Sequence, residues 1–426
     1  MTLNEFIKVI NGISNINSEE RIKQIKTDTR KINKGDIFIA LKGKKYNGED
    51  FVNIAIQKGA IACVVEKSIN DKCIQVKDTT QCLFLIGLYI RKQYNIPLIG
   101  ITGSNGKTTT KDLLYHVLSS KYKVLKNDGS KNNIIGVSDT LFKLNKNHEI
   151  IVMELGTNHL GEISYLSKMC EPDVGIITNI GSSHLEYFKT RKNIFKEKIS
   201  ILDGMKDGNL IVNGDDKYLK RLCSFKCGLN KNNDLKAYNI KEYTDHIIFN
   251  IYLDKEYTII FNNPGTHFIN DILLVIKCAL NYEIKIKTII NKIKSFKLTD
   301  KRMNLVKIKD NILINDCYNA SLESTVAGIN YLKNISQKKI LIIGDILELG
   351  KHSKKIHKKI NKEIKKLKNK EIYTIGVNSK YIRGINFKNV DEFIEYIRHK
   401  KLDNCYIYVK GSRRMNLDKF VDYMTN

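Results

Sequence analysis

Residues 98–109 constrain this chain more than any other stretch: Leu-Ile-Gly-Ile-Thr-Gly-Ser-Asn-Gly-Lys-Thr-Thr. The apolar run predicts a strand over 98–102, and the residues after Gly106 predict a helix over 107–119. Between them lies a glycine-rich turn. In that context backbone N–H groups and a helix N-terminus can cradle phosphates. Gly103, Ser104, Asn105, Gly106, Lys107, Thr108 and Thr109 are therefore the expected nucleotide-binding residues, for ATP or GTP. Lys107 is placed to reach the β- and γ-phosphates, and the Thr108 hydroxyl to ligate Mg²⁺. The spacing departs from the usual G-x-x-x-x-G-K-T loop because Ile101 stands where the first glycine belongs.

The rest of the chain repeats the strand-then-helix alternation. Residues 1–92 hold a predicted amphipathic helix over 1–11, a buried strand over 37–41, a helix over 50–58 and a strand over 60–65. Residues 93–296 add strands over 150–155 and 174–180 and helices over 162–169 and 193–202. Residues 297–426 read as a smaller nucleotide-fold-like unit, with strands over 312–315, 339–343, 372–375 and 405–409. Helices are expected there over 322–332, 353–367 and 390–397, with a last one near Leu417. This alternation argues for α/β architecture with parallel sheets covered on both faces. The expected domains are 1–92, 93–296 and 297–426.

Of 426 residues, 42% are hydrophobic and 27% charged, which excludes disordered and fibrous classes. No apolar run approaches the roughly 18 residues of a membrane span, and no basic-then-apolar leader follows Met1. A soluble cytoplasmic protein without stable membrane insertion is expected. The net charge of +27 could indicate a nucleic-acid partner. The lysines are scattered among Asn and Ile, however, without a basic stripe interleaved with aromatics. Compositional bias explains them better, and no nucleic-acid partner is expected. The nine cysteines are odd in number and irregularly spaced, so reduced buried thiols are the expectation.

The loop over 102–108 resembles the T-G-[ST]-N-G-K-T variant of the Mur ligase family. Four further stretches carry the resemblance over nearly the whole chain. They are Thr27-Asp28-Thr29-Arg30 with 35–43; Met153-Glu154-Leu155-Gly156-Thr157-Asn158-His159 with Gly161-Glu162-Ile163; Ile177-Thr178-Asn179-Ile180-Gly181 with His184-Leu185-Glu186; and Gly344-Asp345-Ile346-Leu347-Glu348-Leu349-Gly350. The family implies an N-terminal domain for a UDP-sugar, a central P-loop-type ATPase and a C-terminal Rossmann-like domain that closes over the nucleotide. The second and fourth stretches point to the activity that joins D-alanyl-D-alanine to a UDP-muramoyl-tripeptide. A carboxylate is a poor acyl donor. The γ-phosphoryl must first pass to it, and the amine then displaces phosphate.

Glu154, at a strand end facing the loop, is the expected Mg²⁺ ligand beside Thr108. By resemblance His184 holds a second Mg²⁺, and a lysine on the following helix is carbamylated. Lys198 and Lys196 both qualify, and alignment on the following apolar residues favours Lys198. These groups, with Lys107, are the expected catalytic set. The family's G-x-H-N-x-x-N stretch falls at 265–271, with Phe268 and Asp271 in place of its two asparagines, so Asn270 is the expected nucleotide contact. Arg302, Asp316, Tyr318 and Asn319 are implied on the nucleotide side. Thr29, Arg30, Lys42, Asn132, Asn133, Lys410, Ser412 and Arg413 are implied on the substrate side. A monomer is expected. Two alternatives stay open: the Mur ligase acting one step earlier, on the third peptide residue, and a P-loop protein that is not a ligase.

Overall fold

The computed structural model describes residues 1–43, 46–298 and 301–425. Three sheets organise them. The first is four-stranded and all parallel, in the order Ile25–Lys26, Ile37–Ile39, Ala62–Val65, Cys73–Gln75. The third has six strands; five run parallel, and Asn304–Ile308 pairs antiparallel at one edge with Asn311–Asn315.

The second sheet, of nine strands, positions the phosphate loop. Strand Leu98–Thr102 lies between Ile150–Glu154 and Val174–Ile177. The chain winds outward on one side through Ile150–Glu154 and Val124–Lys126, and on the other through Val174–Ile177 and Leu210–Asn213. The turn over 103–106 and Glu154 therefore share the carboxyl ends of adjacent strands at a topological switch point, where open α/β sheets take their ligands. All three central strands are buried along their whole length. This accounts for their unbroken apolar runs, since helices cover both faces.

The other edge of this sheet is an antiparallel extension, Leu235–Glu242, Ile247–Tyr252 and Glu256–Phe261. The sequence reading assigned no elements there. Its signal is a period-two pattern: Ile247, Phe249 and Ile251 point inward between half-exposed or exposed neighbours. Such a one-sided strand is weaker in sequence than a fully buried one. The predicted strand over 174–180 ends at Ile177, and the helix expected over 193–202 is Arg191–Ile199 followed by a 3₁₀ turn, Ser200–Gly204. Thr190 sets that earlier start by accepting a hydrogen bond from the Asn193 N–H.

Helix Thr79–Lys92, capped by Asp78, packs on helices Ile134–Leu141 and Glu162–Cys170 and so joins the first sheet to the second. Its buried Arg91 donates to the Cys170 and Tyr94 carbonyls, both at 2.8 Å. Among the described residues no helix is long and apolar enough to cross a membrane.

Candidate active site

Two glycines shape the turn. Gly103 (φ +147°) leaves no space for a Cβ, which would collide with the Thr178 hydroxyl. Gly106 (φ +82°) caps helix Lys107–Leu118 in a left-handed conformation, and a Cβ there would collide with the Asp271 carboxylate. The turn is then pinned from the neighbouring strand end. Ser104 N–H donates to the Asn179 carbonyl at 3.0 Å, Asn105 N–H to Asn179 Oδ1 at 3.1 Å, and Gly181 N–H to Ser104 Oγ at 2.8 Å. Lys107 Nζ turns back on the loop, donating to the Gly103 carbonyl at 2.9 Å. Burial, offset in part by Glu154 and reinforced by Arg302, lowers the pKa of its amine.

Glu154 is 1% exposed and held at both oxygens. Thr108 Oγ1 donates to one at 2.8 Å and Asn132 Nδ2 to the other at 2.7 Å. The Asn127 side chain grips its backbone, accepting from Glu154 N–H and donating to its carbonyl, both at 2.9 Å. Thr108 and Glu154 are hard oxygen donors set side by side. That suits Mg²⁺, which binds through one or two carboxylates and keeps water and phosphate oxygens for the rest. Among the described residues no three His, Cys, Asp or Glu side chains converge on one point.

Lys198 and Lys196 part company. Lys196 is exposed, whereas Lys198 is 2% exposed. The helix is fixed in that rotation by buried Glu197, which accepts from Gly161 N–H at 2.6 Å and Ile163 N–H at 2.7 Å. Burial, with Lys107 nearby, pushes the Lys198 pKa well below that of an ordinary lysine. His184 (φ +58°) lies across from Glu348, with Nδ1 2.5 Å from Oε2. That contact holds the Glu348 carboxyl below its usual range.

A cleft of about 1640 Å³ gathers the phosphate loop, Asn132, Asn133, Glu154, His184, Asn270, Arg302, Asp316, Tyr318, Asn319, Lys410 and Arg413. The Arg302 guanidinium sits 4.1 Å from the centre of the Tyr318 ring. Among the described residues the buried Asn270 Oδ1 has no hydrogen-bond partner. Some expected contacts are committed elsewhere. Asp316 binds Lys410 Nζ at 2.7 Å and accepts from Tyr408 OH at 3.1 Å, so its charge is already matched. Asn133 caps helix Ile134–Leu141, and the Ser412 hydroxyl accepts from Leu347 N–H at 2.9 Å. Thr29, Arg30 and Lys42 do not line the cleft, and the exposed Arg30 pairs with Asp28 at 2.8 Å.

Several site residues escaped the sequence reading. Asp271 packs under Gly106, and burial pushes its carboxyl pKa up to about 8. Glu323 accepts from Ser182 Oγ at 2.8 Å, and Glu348 meets His184, each across two sheets. Asp271 and Glu348 fall within motif stretches that assign them no role. Glu323 had no motif to mark it.

Three family models match the chain: "Mur ligase family, catalytic domain" over 21–95, "Mur ligase middle domain" over 101–279 and "Mur ligase, glutamate ligase domain" over 301–413. A UDP-N-acetylmuramoyl-tripeptide–D-alanyl-D-alanine ligase of Buchnera aphidicola subsp. Baizongia pistaciae is 35% identical, covering 95% of this chain and 92% of its own. The chain belongs to the Mur ligase family. A Bacillus subtilis ligase of the same name is 34% identical to this Mur ligase over 79% of the chain and 76% of its own length. A crystal structure of MurF from Acinetobacter baumannii superposes on it with a TM-score of 0.92 at 27% identity, covering 100% of this chain and 99% of that one.

Proposed function

We propose that this Mur ligase uses ATP to join D-alanyl-D-alanine to the peptide carboxylate of UDP-N-acetylmuramoyl-tripeptide through an acyl phosphate. The observation that carries this reading is the near-full-length match, at 35% identity, to a ligase of that activity. The site supports the chemistry. The phosphate loop offers backbone N–H groups at a helix N-terminus for the triphosphate. Lys107 and Arg302 supply fixed positive charge for a transferring phosphoryl group. The Tyr318 ring and the unpartnered Asn270 carbonyl suit a nucleoside.

Thr108 and Glu154 are the residues to hold Mg²⁺, with His184 toward a second ion. When bound, the metal neutralises charge that develops on the phosphates. Lys198 is proposed as the carbamylated lysine. Burial makes this amine give up its proton more readily than an exposed lysine; the free amine would add CO₂ with release of a proton, leaving a carbamate anion beside Lys107. Lys196 is exposed and lacks that surrounding. Asn132 supports the acceptor side through its hold on Glu154, with Lys410 and Arg413 as cations for a carboxylate. Thr29, Arg30 and Lys42 are left for the UDP part, away from the chemistry. The proposed domains are 1–92, 93–296 and 297–426, in a cytoplasmic monomer.

Incubation with ATP, Mg²⁺, UDP-muramoyl-tripeptide and D-alanyl-D-alanine should release phosphate and yield a product heavier by one dipeptide. Phosphate release that ignores both peptides would refute the ligase reading. Turnover with a shorter UDP-muramoyl-dipeptide and a single amino acid would move the enzyme one step earlier.

A further inference from the structure

One buried cation stands outside the chemistry described above. Lys111, one turn beyond Lys107, is 0% exposed. Its Nζ donates to the Asn127 carbonyl at 2.8 Å and the Gly129 carbonyl at 3.1 Å. It lies 3.5 Å from Asp112 Oδ1 and 4.0 Å from Glu154 Oε2. Removing an ammonium ion from water is costly, and it persists in a core only where partners replace the water. Here the partners are the backbone of residues 127–129 and two carboxylates. The same segment returns to Glu154 twice more, through the Asn127 grip on its backbone and through Asn132 on its carboxylate. Asn127 Nδ2 also donates to the Lys131 carbonyl at 2.8 Å, which braces the segment between them.

We infer that Lys111 is a positioning residue that locks the 127–132 segment and the Glu154 carboxylate into one unit, so that the cation site beside Thr108 forms only when that segment is seated. The inference rests on the reading of Glu154 as a metal ligand. Groups that orient a metal ligand typically change metal affinity about 10- to 100-fold when removed.

The test is calorimetric titration of ADP with and without Mg²⁺. In the wild type Mg²⁺ should tighten ADP binding. Lys111→Met keeps an unbranched apolar stem out to the ε-carbon but removes charge and donors. It should cut that Mg²⁺ gain by about tenfold or more while leaving metal-free ADP affinity within about twofold. A gain retained in full by Lys111→Met overturns the inference, however far its melting temperature falls. If that variant does not fold, Lys111→Gln, which is uncharged and one bond too short to reach both carbonyls, is read in the same way. Absence of any Mg²⁺ gain in the wild type would instead remove Glu154 as a ligand, a failure distinguishable from that of Lys111 alone.

Discussion

Lys196 and Lys198 sit two positions apart on one helix, and their surroundings decide what each can do. One amine is exposed, whereas burial pushes the other toward neutrality. Lys198→Ala should abolish turnover and regain part of it with millimolar formate or acetate, which would restore an anion in the vacated space. Lys196→Ala should turn over normally, and the reverse pattern would reassign the carbamate. Lys107→Ala should lower kcat at least about a hundredfold, as loss of one preorganised charge contact does. Asp271 gives a pH signature. Burial disfavours the charged form and pushes its carboxyl from an ordinary 3.8 up to about 8 in the folded chain. Between those values the unfolded chain has released a proton that the native chain still holds, so stability falls as pH rises and levels off above about 8. Asp271→Asn should therefore melt higher than the wild type, with an advantage that grows from pH 5 to 8.

Elements were legible in proportion to how fully they are buried. Strands Leu98–Thr102, Ile150–Glu154 and Val174–Ile177 announced themselves as apolar runs, and helix Leu322–Leu332 matched its expected bounds. The antiparallel strands 235–261 did not, since one face carries Lys, Asn and Tyr and blurs the signal. In the site, Lys107, Thr108 and Glu154 could be read because a loop motif and a strand end fix them locally. Asp271 and Glu323 could not, because the groups they meet, Gly106 and Ser182, are far away in sequence. Ser321 belongs to the same class. It caps helix Leu322–Leu332 in a reciprocal capping box with Ser324 and also donates to Asn105 Oδ1 at 2.9 Å. Ser321→Ala should cost about 1 kcal/mol in denaturant unfolding. It should also raise KM for ATP, because it frees one side of the phosphate loop. An unchanged KM would confine Ser321 to the cap.

The whole molecule closes on its cleft through a few polar contacts between the second and third sheets. Among the described residues they include Ser321 with Asn105, Glu323 with Ser182 and Arg191, Glu348 with His184 and the Glu186 N–H, and, farther from the cleft, Tyr331 with the Thr244 carbonyl and Asn334 with Glu242. These contacts are partly open to water, so each is weak and salt-sensitive. Glu323→Ala combined with Glu348→Ala should enlarge the radius of gyration seen by small-angle X-ray scattering and raise the ionic-strength sensitivity of kcat. An unaltered scattering profile would mean that apolar packing holds the third domain in place. Such a hinge of breakable pairs has a kinetic consequence. If each catalytic cycle ends with the clasp at His184 and Glu348 letting go, product escape rather than bond making sets the tempo. Added viscogen would then slow steady-state turnover while leaving a single pre-steady-state burst of phosphate untouched.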